Sequence, residues 1–222
     1  MTEATLPTPD ELKTLPLRAM VVYAVRCARR VQPLFGLARE IPHHEKHLAA
    51  IEIALTLSEQ YCRGELIATA YAVRAAYAVA DAAAYAARAA HTVVAAAKAA
   101  YAADDAARTV YAAAYFSGHA RSGAYAARLA AAYAAATGAA GRAACAAAHF
   151  ADDAKCAARS DYDCLRALNP GETPSLGSPL DPSESGPLGP LWPDGPPAWF
   201  TQRSDGPVGA GQQPERPTVT SP

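Results

Sequence analysis

The sequence predicts an all-α protein with an unlike C-terminal tail, and three compositional observations support that prediction. Alanine accounts for 58 of the 222 residues, and residues 68–158 hold 47 alanines in 91 positions. Because alanine is the best helix former and is depleted from strands, a β-sandwich, a barrel or a doubly wound sheet is excluded. Residues 170–222 hold two alanines but 13 of the 18 prolines and 8 of the 14 glycines. We therefore expect a helical domain over residues 1–168 and a separate tail over residues 169–222.

The first helix is predicted to begin after a short polar lead, near Pro16. Proline is tolerated in a first helical turn, and apolar residues recur at three- and four-residue spacing from Leu17 onward. We expect this helix to end near Gln32, because Pro33 lacks the backbone N–H that the helix needs and stops or kinks it.

A second helix is predicted from about Pro42 to Arg63. Its apolar face is formed by Leu48, Ile51, Leu55 and Tyr61. Gly64 follows the last charged residue of the pattern and is typical of a helix C-terminal stop, since glycine adopts the left-handed conformation without strain.

The long alanine-rich region from Glu65 to Leu168 has a helical pattern throughout and must contain several helices. A single helix of about 100 residues would be roughly 150 Å long. The candidate breaks are Asp81, Asp104–Asp105, Ser117–Gly118 through Ser122–Gly123, and Thr137–Gly141. These breaks give about five helices in this region and a bundle of about seven in all.

The tail is predicted to be mostly disordered. Proline and glycine make up 21 of its last 53 residues, so it has too little apolar surface to offset the entropy of ordering. The segments around Trp192 and Trp199 are exceptions. They can be a short docking motif for a partner, or they can fold back onto the helical domain.

Charge and cysteine content indicate a cytoplasmic protein that does not bind nucleic acid. The net charge is −1, divided into +3 for residues 1–169 and −4 for the rest, so neither part demands a polyanionic partner. The five cysteines are an odd number without a C-x-x-C pair, which is typical of reduced thiols.

Membrane insertion and secretion are not expected. The first residues lack a basic segment followed by an apolar core. The longest run without a formal charge is residues 129–141, which has 13 residues and is short of the roughly 20 that a spanning helix needs.

Tyrosine and charged residues share stripes within the alanine-rich region. One stripe consists of Arg74, Tyr77, Asp81, Tyr85 and Arg88, and another of Asp104, Arg108, Tyr111 and Tyr115. Tyrosine and arginine often anchor interfaces, so the stripes can form a recognition surface. Alternatively, the tyrosine rings are the bulky core residues that alanine-faced helices need, with their hydroxyls at the rim.

Two groups of residues have the side-chain types of a metal site. The first is His43, His44 and His47, in which His43 and His47 are one helical turn apart. A solvated polar turn at a helix start explains the same residues.

The second group is Cys145, His149, Asp152 and Cys156, at positions i, i+4, i+7 and i+11 of one helical face. A straight helix spreads these positions over about 16 Å, so one ion could reach only two neighbours. Cysteines that pack like alanine, beside a hydrogen-bonded histidine, explain the same pattern.

Neither group leads us to assign a metal or cofactor. No cysteine or serine lies in a recognisable nucleophile motif, and the glycine-containing stretches lack the spacing of a phosphate-binding loop. The sequence therefore predicts no catalytic, cofactor-binding or metal-binding residues and a protein that is not an enzyme.

Three segments resemble a family of immunity proteins from bacterial polymorphic toxin systems. The first is residues 23–35, YAVRCARRVQPLF, in which Gln32 stands where the family pattern has an aliphatic residue before the proline. The second is the Ala- and Ile-rich stretch 49–54, and the third is the Ala/Arg/His region that includes residues 86–91 and 118–127. The resemblance covers about residues 18–130.

The resemblance implies an all-helical, non-enzymatic protein that protects its cell by binding a toxin. Two other hypotheses remain open. One is a structural or scaffolding helical domain with a docking tail, which deletion of residues 170–222 would distinguish from an immunity protein. The other is a metal-dependent helical enzyme. Exposed alanine faces also leave room for a homo-oligomer.

Overall fold

The chain is described by a computed structural model over residues 5–36, 43–65, 105–106, 108, 125–148, 152–170 and 175–201. Its helices are α1 (Pro9–Leu12), α2 (Leu17–Gly36), α3 (His44–Arg63), α4 (Tyr125–Ala148), α5 (Asp152–Leu168) and α6 (Ala198–Thr201). No strand occurs in these ranges. The all-α class is confirmed. The predicted number of about seven helices is tested only in part, because the breaks at Asp81 and Ser117–Gly123 lie outside the described residues.

Helix α1 is a single turn within the segment predicted as a polar lead. It begins with a capping box, in which the Thr8 hydroxyl accepts from the Glu11 N–H and the Glu11 carboxylate accepts from the Thr8 N–H. Leu12 and Leu15 are fully buried. The lead is therefore attached to the core by two leucines.

Helix α2 begins where predicted but continues through Pro33, so the predicted end at Gln32 is wrong. A proline inside a helix costs about 3 kcal/mol because a hydrogen bond is lost. Contacts in the last turn offset that cost. Phe35 is fully buried and stacks on the His44 ring, while its carbonyl oxygen lies 2.9 Å from His44 Nε2.

Helix α3 confirms the second predicted helix. It begins two residues after Pro42 and ends at Arg63, followed by Gly64 at a φ of 74°. The Glu65 N–H donates to the Gln60 carbonyl across this turn, as in a Schellman cap. The position of Gly64 in the sequence therefore predicted the end of this helix correctly.

Helix α4 runs without interruption through residues 137–141, so the predicted break there is wrong. Glycine costs only about 1 kcal/mol in a helix interior, and packing against neighbouring helices outweighs this cost. Gly141 faces α1, where an added Cβ would lie 3.8 Å from Leu12 Cδ1.

The core is organised around α2, which contacts α3, α4 and α5. Most of its side chains are fully buried, including Met20, Tyr23 and Val31. Alanines of α4 and α5 form much of the surface that packs on it, among them Ala136, Ala140, Ala143, Ala144 and Ala158. None of the helices in the described part of the chain is long and apolar enough to cross a membrane.

Residues 175–192, which we call the strap, cross the helical domain without regular secondary structure. The N–H groups of Leu17 and Arg18 at the start of α2 donate to the carbonyls of Ser175 and Leu176. At the end of α3, the Cys62 carbonyl accepts from the Leu180 N–H. The strap thus provides partners for backbone groups that helix ends leave unpaired.

The predicted disorder of the tail is therefore wrong for residues 175–201, and around Trp192 the alternative of folding back onto the helical domain is found. Leu176, Leu180 and Leu188 pack against the core, and Trp192 is 4% exposed. Residues 171–174 and 202–222 lie outside the described residues.

Candidate functional site

The most concentrated polar cluster in the described residues is buried where α2, α5 and the strap meet. Arg26 and Arg30, one turn apart on α2, are fully buried, and Asp161 on α5 is 3% exposed. Asp161 Oδ2 accepts from Arg26 Nε at 3.0 Å and from Arg30 Nη2 at 2.6 Å. One carboxylate thus pairs with two guanidinium groups.

Backbone carbonyls of the strap accept further hydrogen bonds from both arginines, while the buried Arg30 Nη1 has no hydrogen-bond partner among the described residues. Arg26 donates three hydrogen bonds and Arg30 donates one to this segment. The four acceptors are Pro182, Gly189, Pro190 and Leu191, at 3.1, 3.0, 2.8 and 2.8 Å. The Arg30 guanidinium also lies over the Trp192 ring, 5.9 Å from its centroid. Because guanidinium has five N–H donors in a fixed plane, it can hold a carboxylate and several carbonyls together.

This arrangement is suited to structure rather than to catalysis. A buried charge is costly unless it is paired and hydrogen-bonded, and here the partners come from three separate parts of the chain. Our sequence analysis did not single out these residues. Arg26 and Arg30 lie on the polar face of α2, which also includes Arg29 and Gln32. Such a face predicts solvent exposure, so the pattern carries no signal of their burial.

Two thiols within the core are poor nucleophiles. Burial raises the pKa of the Cys27 thiol to about 12, and burial also raises the pKa of Cys62. A thiol in that state is protonated at neutral pH, whereas nucleophilic catalysis needs a thiolate. Cys145, Cys156 and Cys164 are exposed.

A second polar network joins α2 to α3 nearer the surface. Arg29 donates to Glu59 at 2.6 Å and to both oxygens of Glu52, at 2.9 and 2.8 Å. Burial opposes ionisation of Glu52, but hydrogen bonds from Arg29 and Gln32 outweigh it and hold the pKa of Glu52 below its usual value. The polar Gln32 therefore has a partner on α3.

The histidine group does not converge on one point. His43 precedes α3 in a left-handed conformation, with a φ of 57°. His44 is buried against Phe35 and is hydrogen-bonded to its carbonyl. His47 is half-buried, and burial, together with the neighbouring histidines, lowers its pKa.

The Cys145, His149, Asp152 and Cys156 group is divided between two helices. Cys145 belongs to α4, which ends at Ala148, while Asp152 and Cys156 belong to α5. The expectation of one continuous helical face is therefore wrong, and His149 lies outside the described residues. Within the described part of the chain, no group of three or more possible metal ligands occurs.

The predicted tyrosine stripes fall almost entirely outside the described residues. Residues 74–88 lie there, as do Asp104, Tyr111 and Tyr115. Arg108 is described and is half-buried. Its neighbour Asp105 is buried and accepts from Arg142 Nε on α4 at 2.9 Å.

A cleft of about 360 Å³ opens between α5 and the turn that follows the strap. The α5 side consists of Asp153, Cys156, Ala157 and Ser160, and the opposite side of Trp192, Pro193, Asp194, Gly195, Pro196 and Pro197. Trp192 also meets the Phe200 ring of α6 edge to face, at 5.6 Å between centroids. The cleft surface is about half polar and half apolar and includes two exposed carboxylates, and its volume lies within the range of small binding sites.

The chain matches no family model, and comparisons with curated proteins and with solved structures likewise found no match.

Proposed function

We propose that the chain is a non-enzymatic, cytosolic protein-binding module that neutralises a partner, as an immunity protein neutralises a toxin. The observation that supports this proposal is the cleft between α5 and residues 192–197. It is concave, combines apolar side chains with two carboxylates, and is supported by the buried Arg26, Arg30 and Asp161 cluster next to Trp192. A rigid surface of this kind loses little entropy when a partner binds.

The sequence resemblance over residues 18–130 supplies the kind of partner. Members of that family are expected to bind a toxin without chemistry of their own. The buried cluster fits such a role, since its arginines are engaged by Asp161 and by strap carbonyls and serve to hold the binding surface in place.

The scaffold hypothesis, in which a free tail docks a partner, gains less support. Trp192 is packed against Ala154 and Ala157 of this chain's own α5, so the segment proposed to dock a partner already packs within the chain. Deletion of residues 170–222 no longer distinguishes the two hypotheses, because it also removes the strap.

A growth-rescue experiment tests the proposal with the intact chain. The products of genes adjacent to the coding sequence are expressed singly, and any that arrests growth is co-expressed with the full chain. We expect the full chain to restore growth. If no adjacent product is toxic, or if a toxic one is neither bound nor neutralised, the proposal is wrong.

Two matched tryptophan substitutions locate the binding surface in the same assay. Ser160 lines the cleft, and Ala167 is exposed further along the same helix. We expect Ser160→Trp to fill the cleft and abolish rescue, whereas Ala167→Trp retains it. Equal rescue by both variants would show that the partner binds elsewhere.

A further inference from the structure

The chemistry of the cleft between α5 and residues 192–197 indicates what it binds. The two charged residues that line it are Asp153 and Asp194, and both are exposed. The other lining residues described there are apolar or small, chiefly Trp192, Ala157 and three prolines. The cleft thus presents negative charge beside the apolar side chains that make up about half of its surface.

A basic side chain matches that combination better than other ligand groups. Lysine and arginine lay an aliphatic stem along apolar surface and direct a cationic head toward carboxylates. An acidic side chain would meet two like charges, and a purely apolar one would leave both carboxylates without a partner. Arg30 already lies over the Trp192 ring, so the carboxylates rather than the ring are expected to select the cation.

The position of the two carboxylates supports this selection. Asp153 lies in the first turn of α5, where the helix dipole stabilises the ionised carboxylate but opposes a nearby cation, so the attraction comes from the carboxylate itself. Asp194 lies on the opposite wall, in the turn between Trp192 and Gly195. A cation placed between the walls is therefore attracted from both sides.

We propose that this cleft binds an arginine or lysine side chain presented by the protein partner. This inference rests on the proposed function, since it names the chemistry of the partner segment that enters the same cleft. The bound group is cationic, its stem contacts the proline and tryptophan wall, and Asp153 and Asp194 determine its charge selectivity.

Cys156 allows binding to be measured at the site itself, because its exposed thiol lines the cleft. Cys145 and Cys164 are also exposed, so both are replaced by alanine, and the buried Cys27 and Cys62 are retained. The rate of alkylation of Cys156 by neutral iodoacetamide is then followed by mass spectrometry in the full-length protein.

The probe is the peptide acetyl-Ala-Ala-Arg-Ala-Ala-amide, and its control is the same peptide with neutral citrulline in place of arginine. We expect the arginine peptide, titrated into the millimolar range, to slow alkylation at least about threefold, because the occupied cleft shields the thiol. The citrulline peptide is expected to leave the rate unchanged. Equal protection by both peptides, or protection by neither, overturns the proposal.

Paired substitutions test the carboxylates. The double variant Asp153→Asn with Asp194→Asn is expected to lose the protection of Cys156 by the arginine peptide. The control double variant, Asp10→Asn with Glu65→Gln, makes the same change in net charge at exposed sites elsewhere and is expected to keep that protection. Circular dichroism verifies that both variants are folded. Protection that survives the first pair contradicts the proposal.

The growth assay separates this inference from the proposed function. If Ser160→Trp abolishes rescue but Asp153→Asn with Asp194→Asn does not, the cleft binds the partner without selecting a cation, and only this inference is wrong. If neither substitution affects rescue although the arginine peptide protects Cys156, the partner occupies another surface, and the inference that its basic side chain enters this cleft is wrong.

Discussion

The helical domain and the strap are stabilised by different parts of the polypeptide. In the helical domain, side chains of α2 are buried against alanines of α4 and α5. In the strap, backbone groups make many of the contacts, donating to the end of α3 and accepting from the start of α2 and from two buried arginines. The helical domain therefore depends on apolar area and the strap on hydrogen bonds.

That difference explains why composition misjudged the strap. Disorder is inferred from the scarcity of apolar side chains, and the strap is indeed rich in proline and glycine. A prediction from composition ignores the fact that the carbonyl oxygen of proline still accepts hydrogen bonds. When buried guanidinium groups supply the donors, such a segment becomes ordered, since each hydrogen bond to a charged group contributes about 1.5–3 kcal/mol.

Removal of the strap is expected to have the largest effect on stability. A chain ending at Pro170 loses the burial of Trp192 and the acceptors of Arg26 and Arg30. We expect the free energy of unfolding to fall by at least about 4 kcal/mol, which is the cost of removing one buried tryptophan alone. Urea unfolding followed by circular dichroism measures it, and a cooperative transition at an unchanged midpoint would contradict it.

A peptide supplied in trans controls for non-specific effects of the truncation. A synthetic peptide of residues 175–201 should raise the unfolding midpoint of the truncated chain, because it restores the same acceptors. A peptide of the same composition in scrambled order should not. Equal stabilisation by the native and the scrambled peptide would mean that the strap has no specific binding site on the helical domain.

Asp161→Ala is expected to have the next largest effect, because it leaves two buried arginines without their carboxylate. Removal of one partner from a buried ion pair costs about 3–5 kcal/mol. Asp161→Asn, which keeps an acceptor oxygen, should cost less. If urea unfolding shows that the alanine variant loses less than about 1 kcal/mol of its free energy of unfolding, water or another group replaces the carboxylate.

Two neighbouring arginines on α2 offer a matched comparison of burial. Arg30 is fully buried and donates through Nε to the strap, whereas Arg29 is 18% exposed and pairs with α3. We expect Arg30→Lys to cost about 1–3 kcal/mol, because an ammonium group cannot reproduce the planar fork. Arg29→Lys should cost less than about 0.5 kcal/mol, as for an ion pair near the surface. Urea unfolding of the two lysine variants measures the difference. A higher unfolding midpoint for Arg30→Lys than for Arg29→Lys would show that the strap contacts contribute little.

Two strap glycines sharpen the comparison further. Both have positive φ, but an added Cβ at Gly177 would lie 2.6 Å from Pro16 Cβ, whereas Gly189 has no neighbour within 4 Å among the described residues. Gly189→Ala should cost about 1 kcal/mol from backbone strain, and Gly177→Ala should cost more because Pro16 must also move. Thermal unfolding of the two variants measures the difference, and equal melting temperatures would contradict close packing at Gly177.

The parts of the fold that were predictable follow from local chemistry. The start of α2 near Pro16 and the end of α3 at Gly64 depend on backbone preferences that each residue carries with it. The continuation of α2 through Pro33 and of α4 through residues 137–141 was not predictable in the same way. Those positions are unfavourable locally and are retained because neighbouring elements pack against them.

The candidate site was less accessible to sequence reasoning than the fold. Asp153 and Asp194 are 41 positions apart in the chain and belong to parts that were assigned to different domains. Their proximity depends on the strap, which places the turn after Trp192 beside α5. The tyrosine stripes that the spacing singled out fall almost entirely outside the described residues, and the histidine group does not converge on one point.

The sequence by itself determined the helical class, because the preference of alanine for helix acts within each residue and needs no partner. It also determined where proline and glycine concentrate. Only the tertiary structure decided that residues 175–192 are ordered, that Pro33 stays within a helix, and that a carboxylate-lined cleft forms. Each of these depends on groups in different elements of the chain, whose hydrogen bonds and burial outweigh the local preference only when the fold brings them together.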